Sequence, residues 1–195
     1  MSRVTTRSAI AFETFDRTLQ KTIAFRPVVL GEDLQRLHQW MNHPHVIPFW
    51  KLNFSLGKFQ DHLEKALSDS HQTLYIGLLD GVPMSYWESY WAADDIVARH
   101  YPALASDQGI HLLIGPPEYL GKGYALPLLR AMTRFQLQHP ATEKIIAEPD
   151  IRNAKMIHVF ERCGFVFQKP IALPDKTGAL MMCDRTKFEE RWGHA

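Results

Sequence analysis

Apolar residues recur along this chain with two different periods, and those periods divide it into elements. Ile10 to Phe15 and Thr22 to Val29 have β-type composition and predict two strands paired as a hairpin,. Asp33 to Met41 places Leu34, Leu37 and Met41 at helical spacing,. His43 to Asn53, rich in Pro and Trp, reads as a loop, and Ser55 to Leu67 as a second helix with Ser55 as its cap,. Gln72 to Leu79 and Met84 to Trp91 read as strands joined by Asp80-Gly81, a strong hairpin signal,. Ala92 to Ser106 follows as an irregular or helical insertion.

The second half is more regular. Ile110 to Gly115 is a short apolar strand, and a helix begins near Tyr124 with Leu128, Leu129, Met132 and Phe135 on one face,. Pro127 fits its first turn, where a missing N–H costs little. Lys144 to Glu148 is a further strand, ending at Pro149-Asp150. Asn153 caps a helix that carries Met156, Ile157 and Phe160 inward and closes on Gly164,. Phe165 to Leu173 and Ala179 to Met182 supply the last strands around Pro174-Asp175. The βαβαββ order predicts an α/β (α+β) fold with at least one parallel crossover in the sheet.

The 195 residues suit one domain, 1–195, with residues 1–25 as an N-terminal extension or hairpin,. A net charge of +1 supplies no field to draw the chain to nucleic acid or an anionic membrane,. No apolar run approaches the roughly 18–20 residues of a span, and Met1 to Phe25 lacks the apolar core of a signal peptide,. Cys163 and Cys183 cannot form a disulfide framework and read as packed thiols in a reducing compartment,. The expected location is the cytoplasm. Composition assigns no oligomeric state.

Leu120-Gly121-Lys122-Gly123-Tyr124-Ala125 joins a strand to a helix N-terminus. Its glycines let backbone approach a ligand, the first-turn N–H groups are unpaired donors, and Lys122 adds a mobile positive charge. A pyrophosphate suits such a turn. The spacing matches neither the Walker loop nor the dinucleotide fingerprint. A tight turn with no ligand is the plain alternative.

Glu118-Tyr-Leu-Gly121-Lys-Gly123-Tyr-Ala resembles the acyl-coenzyme A pyrophosphate loop of the GNAT acyltransferases. Asn153-Ala-Lys-Met, followed by Phe160-Glu-Arg-Cys-Gly164-Phe165, resembles that superfamily's next signature. The chain departs from the pattern at Glu118, where the family usually has Gln or Arg. Leu37-His-Gln-Trp40-Met-Asn42, Phe49-Trp50, Tyr86-Trp-Glu-Ser-Tyr90, Gly109-Ile-His111 to Pro116 and Ala147-Glu-Pro-Asp150 to Asn153 extend the likeness from Leu37 to Met182. They resemble the siderophore-biosynthesis acyltransferases, which act on N-hydroxylysine, N-hydroxyputrescine or N-hydroxycadaverine. The aminoglycoside 6′-N-acetyltransferases look similar in both signatures but tend to be acidic at the position of His111.

The resemblance implies a GNAT fold, a mixed central sheet with splayed parallel strands and helices on both faces. It implies acetyl-CoA or succinyl-CoA as co-substrate and a small hydroxylated amine as partner. Gly121, Lys122, Gly123, Tyr124, Ala125, Asn153 and Lys155 are its coenzyme-binding positions, and no metal is expected. His43-Pro-His45 lacks partners at ligand spacing and reads instead as a loop pair near the substrate mouth or on the surface.

The residues support a mechanism beside that resemblance. Alternation sets His111 opposite Ile110, Leu112 and Ile114, and Asp150 lies at the carboxyl end of the next parallel strand. Both reach the crevice at the strand ends. His111 can accept the proton of the attacking nitrogen, with Asp150 orienting it or holding the nucleophile. Backbone N–H groups near Leu113 would meet the thioester oxyanion. Tyr86, Trp87, Tyr90 and Trp91 form a candidate aromatic wall for an aliphatic chain, with Glu88 for an ammonium, and Trp50 and His43 are further candidate substrate residues, His43 at the mouth. For the four aromatic residues of the strand, a place in the core is the alternative. Competing readings are an aminoglycoside or other polyamine acetyltransferase, and a non-catalytic coenzyme A-binding module.

Overall fold

The computed structural model describes residues 9–193; the first eight residues of the expected N-terminal segment lie outside them. Eight strands form one mixed sheet in the order β1-β2-β3-β4-β5-β6-β8-β7. The hairpin of β1 (Phe12–Asp16) and β2 (Lys21–Pro27) is no appendage: β2 pairs with β3 (Gln72–Leu79), so the hairpin forms one edge of the sheet. β3 turns into β4 (Val82–Trp91) through Asp80 and Gly81, both at positive φ (50° and 78°), the geometry that Asp-Gly is chosen for,.

β4 pairs antiparallel with β5 (Gln108–Ile114) along its whole length. β5 and β6 (Lys144–Ala147) are parallel and paired only at Gln108↔Ile145 and Gly109↔Ile146. Beyond Gly109 the two strands part, and this opening is the splay the site uses. β8 (Thr177–Asp184) and β7 (Val166–Ala172) close the other edge.

Alternation along β2 shows how the faces divide. Ile23 and Phe25 enter the core beneath α4 (Ala125–Gln136), α5 (Ala154–Cys163) and α6 (Arg185–Trp192). Ala24 enters the opposite core, with Leu37, Trp40 and Met41 of α1 (Leu30–Met41) and Phe59 and Leu63 of α3 (Leu56–Ser68). Arg26 on that side is buried and makes paired bonds of 2.7 Å to Asp33. Both cysteines are buried free thiols.

Two details differ from the sequence reading, and a third agrees with it. Ser55 occupies the N-cap of α3, yet its hydroxyl makes no capping bond. The expected loop after α1 contains a short helix, α2 (Ile47–Trp50), which ends on Lys51 in the left-handed region (φ 53°). The insertion after β4 is two short 3₁₀ turns, Ala92–Asp94 and Ile96–Arg99.

Candidate active site

On β4, Tyr86, Glu88 and Tyr90 share one face, and the register sets Glu88 directly opposite His111 of β5,. His111 Nδ1 lies 2.7 Å from Glu88 Oε2, and Nε2 contacts Glu148 Oε1 just past the end of β6. The other oxygens of the two carboxyls accept from tyrosines: Tyr86 donates to Glu88 at 2.9 Å and Tyr90 to Glu148 at 2.6 Å. The Tyr90 ring also packs 4.9 Å from the imidazole, and the Trp50 ring stands edge-on at 6.3 Å.

This group opens into a cleft of about 240 Å³ at the splay. Phe49, Trp50, Leu52, Met156 and Phe160 give the cleft apolar walls, while Asp150, Asn153, Asp175 and Lys176 give it polar ones. Lys51 of the α2 segment donates to the Asp175 carbonyl on the β7–β8 turn, tying the two sides of the mouth together.

Electrostatics change the role first expected of His111. Burial alone would depress its pKa, but the Glu148 charge and the bonds to both carboxyls override that and raise it to about 10. Burial likewise works against ionised Glu148, and the imidazolium outweighs it, holding the carboxyl down at about 2. Glu88 is lowered by the same competition. The two carboxyl contacts and the raised pKa favour a protonated His111, and an imidazolium has no lone pair free to accept a proton,. Glu148 carries the missing signal: Ile146 and Glu148 share parity on a strand otherwise apolar after Lys144, and a carboxylate there stands out.

Asp150 lines the cleft but does not orient His111. Its carboxylate takes the Arg152 backbone N–H at 2.9 Å and the Arg152 guanidinium at 2.6 and 2.9 Å. Those bonds hold its pKa at about 2. Trp87 is fully buried on the other face, donating to Ser85 at 2.8 Å and packing edge-on against Phe25 at 5.4 Å. Trp91 shares that parity and packs on His139, so neither tryptophan lines the cleft. His43 stacks on His45 beside a separate groove with Pro83 and Pro116. Glu88 is present, but its oxygens are engaged by His111 and Tyr86 rather than open to an ammonium.

Leu113 also differs from expectation. Gly115 donates to the Met84 carbonyl and Ala92 to that of Asp107, which fixes the phase of the β4–β5 ladder. With Tyr86 opposite Leu113 in that phase, the Leu113 N–H points into β4,. The N–H groups of Leu112 and Ile114 face the splay, and the Ile114 carbonyl on that side is taken by His45 at 2.9 Å. They replace Leu113 as candidate oxyanion donors.

At the far end of β5, Gly121 (φ 70°) and Gly123 (φ 78°) hold the turn before α4 in conformations that side chains rarely adopt,. Leu128 makes the first helical bond, to the Tyr124 carbonyl, and no side chain caps the helix. The N–H groups of Ala125 and Leu126 thus sit at the positive helix end beside exposed Lys122,. Asn153 accepts from Met156 N–H at 3.2 Å as the α5 cap, and Lys155 is exposed on its first turn.

The profile of the acetyltransferase (GNAT) domain matches residues 29–173. The chain belongs to the GNAT family. This GNAT chain is 33% identical over 178 residues to N(6)-hydroxylysine O-acetyltransferase of Escherichia coli, covering 91% of the chain and 56% of that relative. It is 34% identical to N-hydroxyputrescine acetyltransferase of Acinetobacter baumannii, covering 90% of the chain and 84% of the relative. The chain thus spans little more than half of the first and most of the second. Among solved structures, an uncharacterized protein from Bacillus halodurans is 53% identical with a TM-score of 0.92, covering 96% of each chain. Aminoglycoside acetyltransferase AAC(6′)-Ib in complex with coenzyme A is 28% identical with a TM-score of 0.79, covering 86% of this chain and 98% of that one. Among the described residues, no helix is long and apolar enough to cross a membrane.

Proposed function

We propose that this chain is an acyl-CoA-dependent N-acyltransferase whose acceptor is the nitrogen of an N-hydroxylated amine, in hydroxamate siderophore assembly. N-hydroxylysine, N-hydroxyputrescine and N-hydroxycadaverine are the candidate acceptors, and acetyl-CoA and succinyl-CoA the candidate donors. The observation that carries this reading is the His111 group at the mouth of an apolar cleft where β5 and β6 part. The glycine turn before α4, with Gly121, Lys122, Gly123, Tyr124 and Ala125, receives the pyrophosphate, and Asn153 and Lys155 flank the same side. Leu112 and Ile114 offer N–H groups to the thioester oxygen.

A hydroxylamine nitrogen is weakly basic and largely neutral at pH 7, so positioning two substrates supplies much of the rate. The walls of Trp50, Leu52, Met156 and Phe160 suit a methylene chain. A polyhydroxylated sugar ring would leave its hydroxyls unpaired against them, at a cost. Lys176 on the β7–β8 turn gives the cleft an ammonium for a ligand carboxylate, whether the succinyl end or the α-carboxylate of an amino acid.

An aminoglycoside 6′-N-acetyltransferase is the second reading, supported by the fold likeness to AAC(6′)-Ib and by the carboxylates in the cleft. Thiol release separates the two. Purified protein is mixed with each donor and with N-hydroxylysine, N-hydroxyputrescine, N-hydroxycadaverine or kanamycin. Turnover with a hydroxylated amine and none with kanamycin supports the first; the reverse supports the second. Coenzyme A binding with no turnover on any pair defeats both.

A further inference from the structure

An ionised carboxylate only accepts hydrogen bonds, and a neutral imidazole has one N–H and one lone pair. His111 nevertheless has a carboxyl oxygen against each ring nitrogen. Two such contacts call for two N–H donors, or else for one carboxyl that keeps its proton. Each carboxyl already accepts a tyrosine O–H on its remaining oxygen, which favours the ionised form of both,. Glu88 and Glu148 are buried together, and two uncompensated charges there would be costly. Beside His111, the neighbouring charges act on the two glutamates only through space, Lys176 on Glu148 and His62 on Glu88. Asp150 is matched by Arg152, Asp175 is exposed, and His62 of α3 and Lys176 of the β7–β8 turn make no bond to either glutamate among the described residues.

We propose that Glu148 takes the proton of the attacking nitrogen, while His111 serves as a cation clamped between Glu88 and Glu148 and not as the base. This rests on the acyl-transfer reading above. The nitrogen lone pair forms the C–N bond, and the proton it sheds passes to Glu148 Oε1. The C–S bond breaks with its electron pair on sulfur, and the thiolate takes the Nε2 proton of His111. The Glu148 proton then crosses to His111 Nε2 along their contact, restoring both groups. Hydroxamate and coenzyme A thiol are the products, with no other reactant consumed. Protonating Glu148 removes the charge that holds the His111 proton, so acceptance and donation are coupled through one contact.

The test reads protonation directly. In protein labelled with ¹⁵N-histidine and assigned by loss of the signal in His111→Gln, both His111 ring nitrogens show imidazolium shifts up to pH 8 or above. In Glu148→Gln the same signals titrate at least one pH unit lower, kcat falls about 100-fold, as for loss of a general base, and KM for acyl-CoA changes less than threefold. Glu148→Asp recovers part of kcat. A His111 that is neutral at pH 7.5 in the unmodified protein, or full kcat in Glu148→Gln, overturns the proposal. The spectrum of the unmodified protein needs no substrate and no variant that must fold with an altered site. Imidazolium signals without hydroxylamine turnover would therefore defeat the substrate reading and leave the clamped imidazolium standing, with the Glu148 role then decided by kcat of Glu148→Gln on whichever amine turns over.

Discussion

Gly109 links the β5 backbone to the chemistry of the cleft, and Gly109→Ala tests that link. A Cβ at this position would lie 1.9 Å from Cζ, 2.2 Å from Cε2 and 2.4 Å from Oη of Tyr90. Ordinary carbon contact is about 3.5 Å, so the ring edge has to retreat by about 1.6 Å. Tyr90 is 2% exposed and packs with Ile146 and Leu180, which leaves it nowhere to retreat without displacing them. Overpacking of this kind costs about 1–3 kcal/mol, and each kcal/mol lowers Tm by about 2–4 °C in a chain of this length. The same movement takes the Tyr90 hydroxyl from Glu148, where it sits at 2.6 Å. Differential scanning fluorimetry should show a Tm drop of about 2–12 °C, and thiol release a lower kcat. Tyr90→Phe, which keeps the ring and loses only the hydroxyl bond, should lower kcat with less effect on Tm. Gly109→Ala/Tyr90→Leu, which removes the obstructing ring, should melt above the sum of its single effects. A Gly109→Ala protein with unchanged Tm and kcat would refute the packing argument.

Trp87 belongs to the core and not to the substrate wall, so Trp87→Ala should cost about 3–5 kcal/mol, read by urea denaturation, while KM for the amine in the surviving folded fraction stays within about twofold. Gly123→Ala forces a side chain to φ 78° and distorts the phosphate turn, which should raise KM for acyl-CoA about tenfold, with a smaller, salt-sensitive rise in Lys122→Ala. His111 has a folded pKa of about 10 against an ordinary 6.5, so the stability it contributes is complete below pH 6.5 and is lost as pH rises through 10,. The Tm gap between the unmodified protein and His111→Asn should accordingly narrow across that window; a gap that is constant or widens contradicts the imidazolium assignment.

Much of this architecture is legible in the chain because local chemistry and global fold agree. Asp80-Gly81 specifies a turn whose φ values side chains otherwise avoid, and Gly164 closes α5 at φ 119° beyond the Asn153 cap. His111 and Asp150 both reach the cleft because parity and strand ends place them there. Parity also shows where the reading of β4 fails. Tyr86, Glu88 and Tyr90 face away from Trp87 and Trp91, so one wall cannot hold all five. Aromatic content drew the two tryptophans into the site; period 2 keeps them out. The partners of His111 were harder to read, because Glu148 and Asp150 share a parity and end the same strand. Only the position of Arg152, two residues on, decides that Asp150 is taken by its own neighbour and that Glu148 is the carboxylate that meets His111. The Leu113 N–H depends on the phase of the β4–β5 ladder, which no local pattern reveals.

The central claim is acyl transfer to a hydroxylated nitrogen at the His111 cleft. Thiol release from acetyl-CoA and succinyl-CoA, measured with each N-hydroxylated amine, its non-hydroxylated parent and kanamycin, tests it most directly. The account predicts turnover that prefers the hydroxylated acceptor over its parent and collapses in His111→Ala. Equal or better turnover of kanamycin, or full activity in His111→Ala, would contradict it.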